Sequence, residues 1–321
     1  MKIARYEHGG SVLVGVVDGD RVVPAAVGTG RAGQAALLDL AMAARVDPGL
    51  RPPRTGDAVP LAEVRLLSPI AAPPSVRDFY AFEQHVKTAR VRRGLDVHPD
   101  WYEMPVFYFS NPAAVIGSGD SVPVPPRSER LDFELEVAVV IGRSGPVVSA
   151  ADADPLVAGF CVMNDWSARD VQVREMAQSM GPVKGKDFAT SLGPVLVTMD
   201  EFAPGGLRTV PAATMTARVN GREYSRSNLD TLWWSFAEML AYAAESTELR
   251  AGDVVGSGTC GTGCILELSL SHGEETYPWL APGDEVELEV EGLGVLANPV
   301  VESRLPPWRP DPDRVRPERA T

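Results

Sequence analysis

The chain has 321 residues, 45% of them hydrophobic, and a formal net charge of −13. This acidic balance argues against nucleic acid or an anionic membrane as partner, because both bind through basic surfaces. No apolar run approaches the roughly 20 residues of a membrane span, and the first residues lack the apolar core of a signal peptide. Three cysteines are too few for a disulfide scaffold, so we expect a cytoplasmic protein with no membrane partner.

The first 70 residues are predicted to form a small β domain. Residues 1–26 alternate apolar and polar side chains around turn residues, as in an antiparallel meander, and residues 35–44 are predicted to form one short helix. A proline-rich link follows, so we predict domains at 1–70 and 71–303. Residues 304–321, rich in Pro and Arg, are predicted to be a tail without a core.

The main domain is predicted to be rich in strands. Residues 79–93 are predicted to be a helix or a mobile loop, 105–116 a strand, 166–180 a helix, and 192–300 strands and turns around one helix at 232–244. We expect residues 86–102 to form a mobile lid, since lids that exclude water are typically ordered only with ligand bound.

The most informative stretch is LDFELEVAVVIG, residues 131–142. Asp132, Glu134 and Glu136 alternate with apolar residues, so on a strand the three carboxylates share one face. The apolar run Val137–Ile141 is typical of a strand buried on both faces. A bound Mg²⁺, Mn²⁺ or Ca²⁺ would offset the repulsion between the acids. An edge strand with its acids in water explains the pattern equally well.

A second acidic signal is MNDWSARD, residues 163–170. Asp165 lies where an apolar strand turns into a helix, and Arg169 and Gln172 lie four and seven residues later, on the same predicted helix face. A functional site or an ordinary capped helix would give this pattern. Lys186 follows in a glycine-flanked loop, where backbone can approach a ligand closely, although such a lysine is usually solvated.

His85 and Glu267 are candidates for acid–base chemistry. His85 follows Asp78 and Tyr80 in RDFYAFEQHV, and a histidine that titrates near neutral pH is a suitable general base. Glu267 lies in an apolar stretch predicted to be a strand, where a carboxylate needs a partner. A buried Glu beside His85 would orient its ring, although a single histidine is more often structural.

Taken in order, DFYxxxQH, LDxELE, MNDWSARDxQ, GPxxGK and GSGT followed by LELS resemble the fumarylacetoacetate hydrolase family, over residues 75–300. The resemblance implies a β-rich mixed α/β fold, with a β-roll or β-sandwich main domain beside the small N-terminal β domain. It also implies a homodimer and a divalent metal, Mg²⁺ before Mn²⁺ or Ca²⁺.

The resemblance also implies roles for individual residues. The metal carboxylates would be Asp78, Glu134, Glu136 and Asp165. The catalytic residues would be His85 as base, Glu267 as its orienting partner, and Arg169, Gln172 and Lys186 as stabilisers of developing negative charge. The substrate contacts would be Tyr80, Arg93, Tyr108, Gln172 and Thr259, with Thr190 in the polar region near Lys186. Met176 departs from the pattern, because the family's namesake has a substrate-contacting tyrosine there.

The implied activity is metal-dependent hydrolysis of a carbon–carbon bond in a small 1,3-diketo acid of the fumarylacetoacetate or acylpyruvate type. Water would be activated by the pair of His85 and Glu267. The alternative is a decarboxylase, hydratase or isomerase of a β-keto or 2-oxo acid, which would pass through the same enolate. A protein that binds a metal or metabolite without catalysis is a third possibility.

Overall fold

The computed structural model describes residues 1–27, 30–91 and 94–311 and has a strand-rich mixed α/β fold. The strands are β1 (Lys2–His8), β2 (Ser11–Asp18), β3 (Arg21–Val27), β4 (Val59–Pro60), β5 (Arg65–Leu67), β6 (Val76–Phe79), β7 (Phe107–Ser110), β8 (Val115–Ile116), β9 (Val122–Pro123), β10 (Leu131–Asp132), β11 (Leu135–Ile141), β12 (Val157–Asp165), β13 (Ser167–Ala168), β14 (Thr190–Thr198), β15 (Thr214–Val219), β16 (Arg222–Asn228), β17 (Val254–Gly256), β18 (Glu285–Val290) and β19 (Gly294–Val301). The α-helices are α1 (Gly30–Val46), α2 (Glu83–Val91), α3 (Arg169–Met176), α4 (Met199–Phe202), α5 (Phe236–Ala243) and α6 (Ile265–His272).

The predicted N-terminal meander is present as β1, β2 and β3, but it is continuous with the central sheet. β1 pairs antiparallel with β14, so the strand order in the described chain runs β4-β3-β2-β1-β14-β12-β11-β17-β6-β7. One sheet therefore crosses the predicted boundary at residue 70. The boundary itself stays a prediction.

The centre of this sheet is buried on both faces, as predicted for Val137–Ile141. Alternate residues of β11 enter two apolar clusters: Val137 and Val139 pack in the larger cluster, and Ala138 and Val140 in the smaller one. The first cluster includes Leu288 of a five-stranded sheet, ordered β16-β15-β18-β19-β9, and the second includes side chains of α1. β11 pairs with β12 on one side and β17 on the other, so the edge-strand interpretation is wrong.

The predicted acidic face is only partly present, because the strand is interrupted. Leu131 and Asp132 form β10, which pairs with β13 in a separate two-stranded sheet, and β11 starts at Leu135. The strict alternation of side chains therefore does not extend through residues 131–136. Asp132 is directed elsewhere, while Glu134 and Glu136 meet at one site.

The strand predicted around Glu267 is a helix, α6. From Leu266 onward the sequence alternates apolar and polar residues, which favours a strand by local pattern. In the fold, the Asp132 carboxylate accepts hydrogen bonds from the backbone N–H groups of Ile265 (2.7 Å) and Leu266 (3.0 Å). These are first-turn donors that a helix leaves unsatisfied, so a distant side chain caps α6.

The other helices differ from prediction mainly in their ends. α1 is longer than the predicted 35–44, whereas α3 is shorter than 166–180 and starts only after β13. α5 begins inside the predicted 232–244, where Ser235 and Glu238 form a capping box. Across the described ranges, every helix is too short or too polar to cross a membrane.

Candidate active site

Four buried carboxylates from neighbouring strands converge at one end of the central sheet. Asp78 lies in β6, Glu134 just before β11, Glu136 in β11, and Asp165 is the last residue of β12. One oxygen of each lies within 4.8 Å of the others, and none of the four residues is more than 4% exposed. The structure therefore brings together the four residues that the family resemblance implied as metal carboxylates.

Gly256 permits this convergence from the intervening strand. β17 lies between β6 and β11, and a Cβ atom on Gly256 would be 2.5 Å from Oδ1 of Asp78 and 3.0 Å from Oε2 of Glu136. A side chain at this position would push the two carboxylates apart. Gly256, the first glycine of the GSGT segment, is thus required because acids approach it closely from both sides.

Two buried cations contact the cluster. Lys186 Nζ donates to Glu134 Oε2 and Asp165 Oδ2, and the Arg169 guanidinium donates to Glu134 Oε1 (2.7 Å). Lys186 is 4% exposed, so the solvated lysine that its loop suggests is not what the fold produces. Gly185 explains the burial, because a Cβ there would be 2.8 Å from the backbone nitrogen of Gln172 in α3.

The surroundings shift the pKa values of these carboxylates in opposite directions. Burial, reinforced by the charge of Asp165, raises the pKa of Asp78 well above its ordinary range, and burial together with Asp78 does the same to Glu136. Burial also acts to raise the pKa of Glu134, but Lys186 and Arg169 outweigh it and lower that pKa. Glu134 is therefore the firmly ionised member, whereas Asp78 and Glu136 face a repulsion that the cations among the described residues do not fully offset.

The cluster fits a hard divalent cation. Its donors are all carboxylate oxygens, the ligand type that Mg²⁺, Mn²⁺ and Ca²⁺ prefer. Glu136 Oε2 and Asp165 Oδ1 are buried and have no hydrogen-bond partner among the described residues, a costly state for polar atoms. A cation held by these oxygens would satisfy them and reduce the repulsion that raises the pKa of Asp78 and Glu136.

His85 and Glu267 meet beside this cluster although 182 residues separate them. His85 Nδ1 contacts Glu267 Oε1, and the other carboxylate oxygen accepts the backbone N–H of Thr262 at 3.1 Å. Tyr80 packs edge-on against the His85 ring with centroids 5.3 Å apart. His85 and Glu267 are 5% and 2% exposed, so the pair is almost fully shielded from solvent and its orientation is fixed by packing.

Asp132 connects the histidine pair to the carboxylate cluster. Besides capping α6, which carries Glu267, it accepts a hydrogen bond from Arg169 Nε at 2.8 Å. Arg169 in turn bonds Glu134 and, through Nη1, the side-chain oxygen of Gln172 at 3.2 Å. The sequence singled out Asp132 as a metal ligand candidate by its spacing, but its position as this junction was missed because both partners are remote in sequence.

A cavity of about 290 Å³ lies over both groups. Its lining includes the predicted substrate contacts Tyr80, Tyr108, Gln172 and Thr259, together with Met176. Tyr108 also donates to Asp165 Oδ2 (2.7 Å) and Thr259 to Glu136 Oε1 (3.3 Å), so both hydroxyls are tied to the cluster. Thr190 lies in β14 and contacts Ser110 instead, and Arg93 lies outside the described residues.

The predicted lid segment, 86–102, borders this cavity. Its described part contains the end of α2 and a 3₁₀ turn at Pro99–Tyr102, with Val86 and Trp101 buried and residues 94–96 exposed. These features establish where the segment lies. Its mobility stays a prediction.

Two family models match the chain. The fumarylacetoacetate (FAA) hydrolase C-terminal model matches residues 75–301, and the Rv2993c-like N-terminal model matches residues 1–69. Because the first match covers more than half of the chain and contains all four carboxylates and the histidine pair, the protein belongs to the fumarylacetoacetate hydrolase family of enzymes.

The names of individual relatives state different activities. The chain is 33% identical to rat (Rattus norvegicus) mitochondrial oxaloacetate tautomerase Fahd2a over 76% of this chain and 71% of that protein. It is 31% identical to rice (Oryza sativa subsp. japonica) fumarylacetoacetase over 72% of this chain and 66% of that protein. The crystal structure of 5-carboxymethyl-2-hydroxymuconate delta-isomerase from Mycobacterium smegmatis matches with a TM-score of 0.68 and 28% identity, over 94% of this chain and 100% of that one.

Proposed function

We propose that the protein is a metal-dependent hydrolase that cleaves a carbon–carbon bond in a 1,3-diketo acid of the fumarylacetoacetate or acylpyruvate type. The observation that supports this most is the buried pair of His85 and Glu267 beside the four-carboxylate cluster. A tautomerase or decarboxylase has no need to activate water, whereas a hydrolase does. A base held next to a candidate metal site is the arrangement that hydrolysis requires.

Asp78, Glu134, Glu136 and Asp165 would hold the cation. When bound, it supplies Lewis-acid polarisation of the substrate's oxygens and orients the diketo acid. Arg169 already bonds Asp132 and Glu134, so its contacts support a role in orienting Glu134. Arg169, Gln172 and Lys186 all line the cavity and are the side chains we assign to developing negative charge, the kind of preorganised donor that lowers a barrier most effectively.

His85 would act through Nε2, because Nδ1 faces Glu267. Nε2 takes a proton from water, and the water oxygen bonds to the carbonyl carbon remote from the substrate carboxylate. The bond from that carbon to the methylene carbon then breaks, with its electron pair passing to the methylene carbon, which receives the proton. One water is consumed, and a carboxylic acid and a methyl ketone acid are released. A positioned base of this kind contributes on the order of 10²–10⁴ to the rate.

An isomerase or tautomerase of an oxo acid is the second candidate. The names of the rat and Mycobacterium smegmatis relatives favour it, and proton transfer between carbon and oxygen of a bound enolate would use His85 without water. The same cavity and carboxylates would serve this reaction, so the two candidates differ only in whether water adds.

The test is an assay of acetylpyruvate and oxaloacetate with Mg²⁺, Mn²⁺ or Ca²⁺, followed by NMR of the products in ¹⁸O-labelled water. Hydrolysis predicts acetate and pyruvate, with label in the acetate, and loss of both products in EDTA. Interconversion of keto and enol forms of oxaloacetate without any carbon–carbon cleavage would favour the second candidate. The homodimer and the cytoplasmic location stay predictions, the first of which light scattering of the purified protein would test.

A further inference from the structure

A second chamber adjoins the catalytic cavity and differs from it in chemistry. It encloses about 250 Å³ and shares Tyr80, Arg90 and Val106 with the catalytic cavity. Helix α2 lies between the two: His85 and Ala89, one turn apart, line the catalytic cavity, whereas Val86 lines the second chamber. The two spaces are therefore neighbours across α2, with Tyr80, Arg90 and Val106 bordering both.

The inner wall of the second chamber is apolar. Val86, Trp101 and Val106 provide it together with Met104 and the ring of Tyr80, and Val86 and Trp101 are 1% and 4% exposed. Trp101 is fixed there, since its ring nitrogen donates to the Tyr80 carbonyl oxygen at 2.7 Å. An apolar occupant would remove the remaining exposed surface of this wall, which belongs to Met104, Val106 and Tyr80, from water.

Two charged residues of this chamber, His98 and Asp100, lie at its rim, and a third, Arg90, borders both cavities. His98 Nδ1 lies 3.6 Å from Asp100 Oδ2, and each of the two side chains is 62% exposed to solvent. Arg90 directs Nε to the carbonyl oxygen of Asp96. Among the described residues that line the chamber, no charged side chain is fully buried, in contrast to the catalytic cavity with its carboxylates, Lys186 and Arg169.

We propose that this chamber binds the apolar end of the substrate's acyl group, so that the preferred substrate is a diketo acid carrying a straight alkyl chain of several carbons. This inference rests on the proposed function, which places the acid end of the substrate. The two carbonyl groups and the carboxylate occupy the catalytic cavity. The acyl chain passes Tyr80 into the space between Val86 and Trp101. A chain that ends in a second carboxylate is disfavoured, because its charge would lose solvation against an apolar wall.

The test compares acetylpyruvate, butanoylpyruvate and hexanoylpyruvate with a hexanoylpyruvate analogue bearing a terminal carboxylate. Each added methylene is expected to raise kcat/KM about three- to fourfold, the usual gain for a buried CH₂ group, and the terminal carboxylate is expected to cancel most of that gain. Equal values across the alkyl series, or a preference for the carboxylate-terminated chain, would overturn the proposal. Failure to cleave any member would instead count against the hydrolase itself.

A binding measurement keeps the chamber testable without turnover. N-ethyl and N-hexyl oxamate are unreactive acids whose dissociation constants in the presence of Mg²⁺ should differ in the same direction and by a similar factor per methylene. Met104→Trp, which adds bulk to the chamber wall, should abolish the gain in affinity from N-ethyl to N-hexyl oxamate. Met104→Leu, the size-matched control, should keep the gain. Equal oxamate affinities, or a full gain in Met104→Trp, would contradict the proposal.

Discussion

The two halves of the candidate site are built from different kinds of structure. The carboxylates of the cluster lie at or beside strands β6, β11 and β12, which are buried along their whole length. The histidine pair lies on two short helices, α2 and α6, and residues 94–96, a few positions beyond the end of α2, are exposed. Strands hydrogen-bonded on both sides hold side chains at fixed spacing, whereas short helices take their position from what packs against them. We therefore expect the metal half to tolerate changes in the histidine half, but not the reverse.

The largest effect expected from that comparison is on turnover. His85→Ala should lower kcat by a factor on the order of 10²–10⁴ because it removes the base, while binding of Mg²⁺ is retained because the strand-borne carboxylates are unaffected. Measurement of kcat with the best diketo acid, and of the melting temperature at increasing Mg²⁺, separates the two halves. His272→Ala, a matched change at an exposed histidine of α6, should alter neither quantity.

Glu267→Gln sharpens the same point, since it keeps a hydrogen-bond acceptor for His85 and removes the charge. Its effect on kcat should be smaller than that of His85→Ala. Full activity in His85→Ala would remove the basis for hydrolysis and would favour the isomerase. An inactive His85→Ala that has also lost Mg²⁺ binding would contradict the independence of the two halves.

Asp132 is where the two halves meet, so its replacement should affect both. In Asp132→Asn the amide cannot accept simultaneously from Arg169 and from both N–H groups of α6, as the carboxylate does. Partners that orient metal ligands typically account for 10–100-fold in affinity or activity, and we expect losses of about that size in Mg²⁺ affinity and in kcat at saturating Mg²⁺.

The control is Asp170→Asn, the same chemical change one residue from Arg169 in an acid that instead binds Ser128 and the backbone of Glu129. It should leave Mg²⁺ affinity and kcat within about twofold. A loss confined to stability in Asp132→Asn, with kcat and Mg²⁺ affinity unchanged, would show that Asp132 is merely a helix cap worth about 1 kcal/mol.

The smallest expected effect is on stability as a function of pH. Burial raises the pKa of Asp78 and Glu136, so each holds its proton more tightly in the folded chain than in the unfolded one. Their contribution to the free energy of unfolding is full below the ordinary carboxyl pKa of about 4 and decreases as pH rises toward the raised values. Glu134 has a lowered pKa and acts in the opposite sense, but only below its ordinary pKa.

Without metal, the melting temperature should therefore fall by a few degrees from pH 5.5 to 8.5, and the stabilisation by Mg²⁺ should increase over the same range. Calorimetry in EDTA and in Mg²⁺ measures both. Glu136→Gln should flatten the EDTA curve, because one of the carboxyl groups with a raised pKa is gone. A metal-free melting temperature that rises from pH 5.5 to 8.5 would contradict this prediction, because repulsion within the carboxylate cluster would then not be lowering the stability.

The strand-borne half of the site was also easier to predict from the sequence than the helix-borne half. The buried β11, the N-terminal meander and the family were predicted from periodicity and motif order, because alternation along a strand is a local property that the sheet preserves. Glu134 and Glu136 are two residues apart in the sequence and stay together in the fold, and Asp165 joins them because β12 pairs with β11.

Other features depended on contacts between remote segments. Glu267 lies on a helix rather than a strand because Asp132 caps α6 from a distance, and no window around residue 267 contains that information. Lys186 is buried rather than solvated because Gly185 lets its loop pack against α3. The sequence by itself determined which residue types were present for metal binding and acid–base chemistry. Tertiary structure decided which of them meet, since the hydrogen-bond donors and counter-charges that orient a buried carboxylate are supplied by whichever segment packs against it.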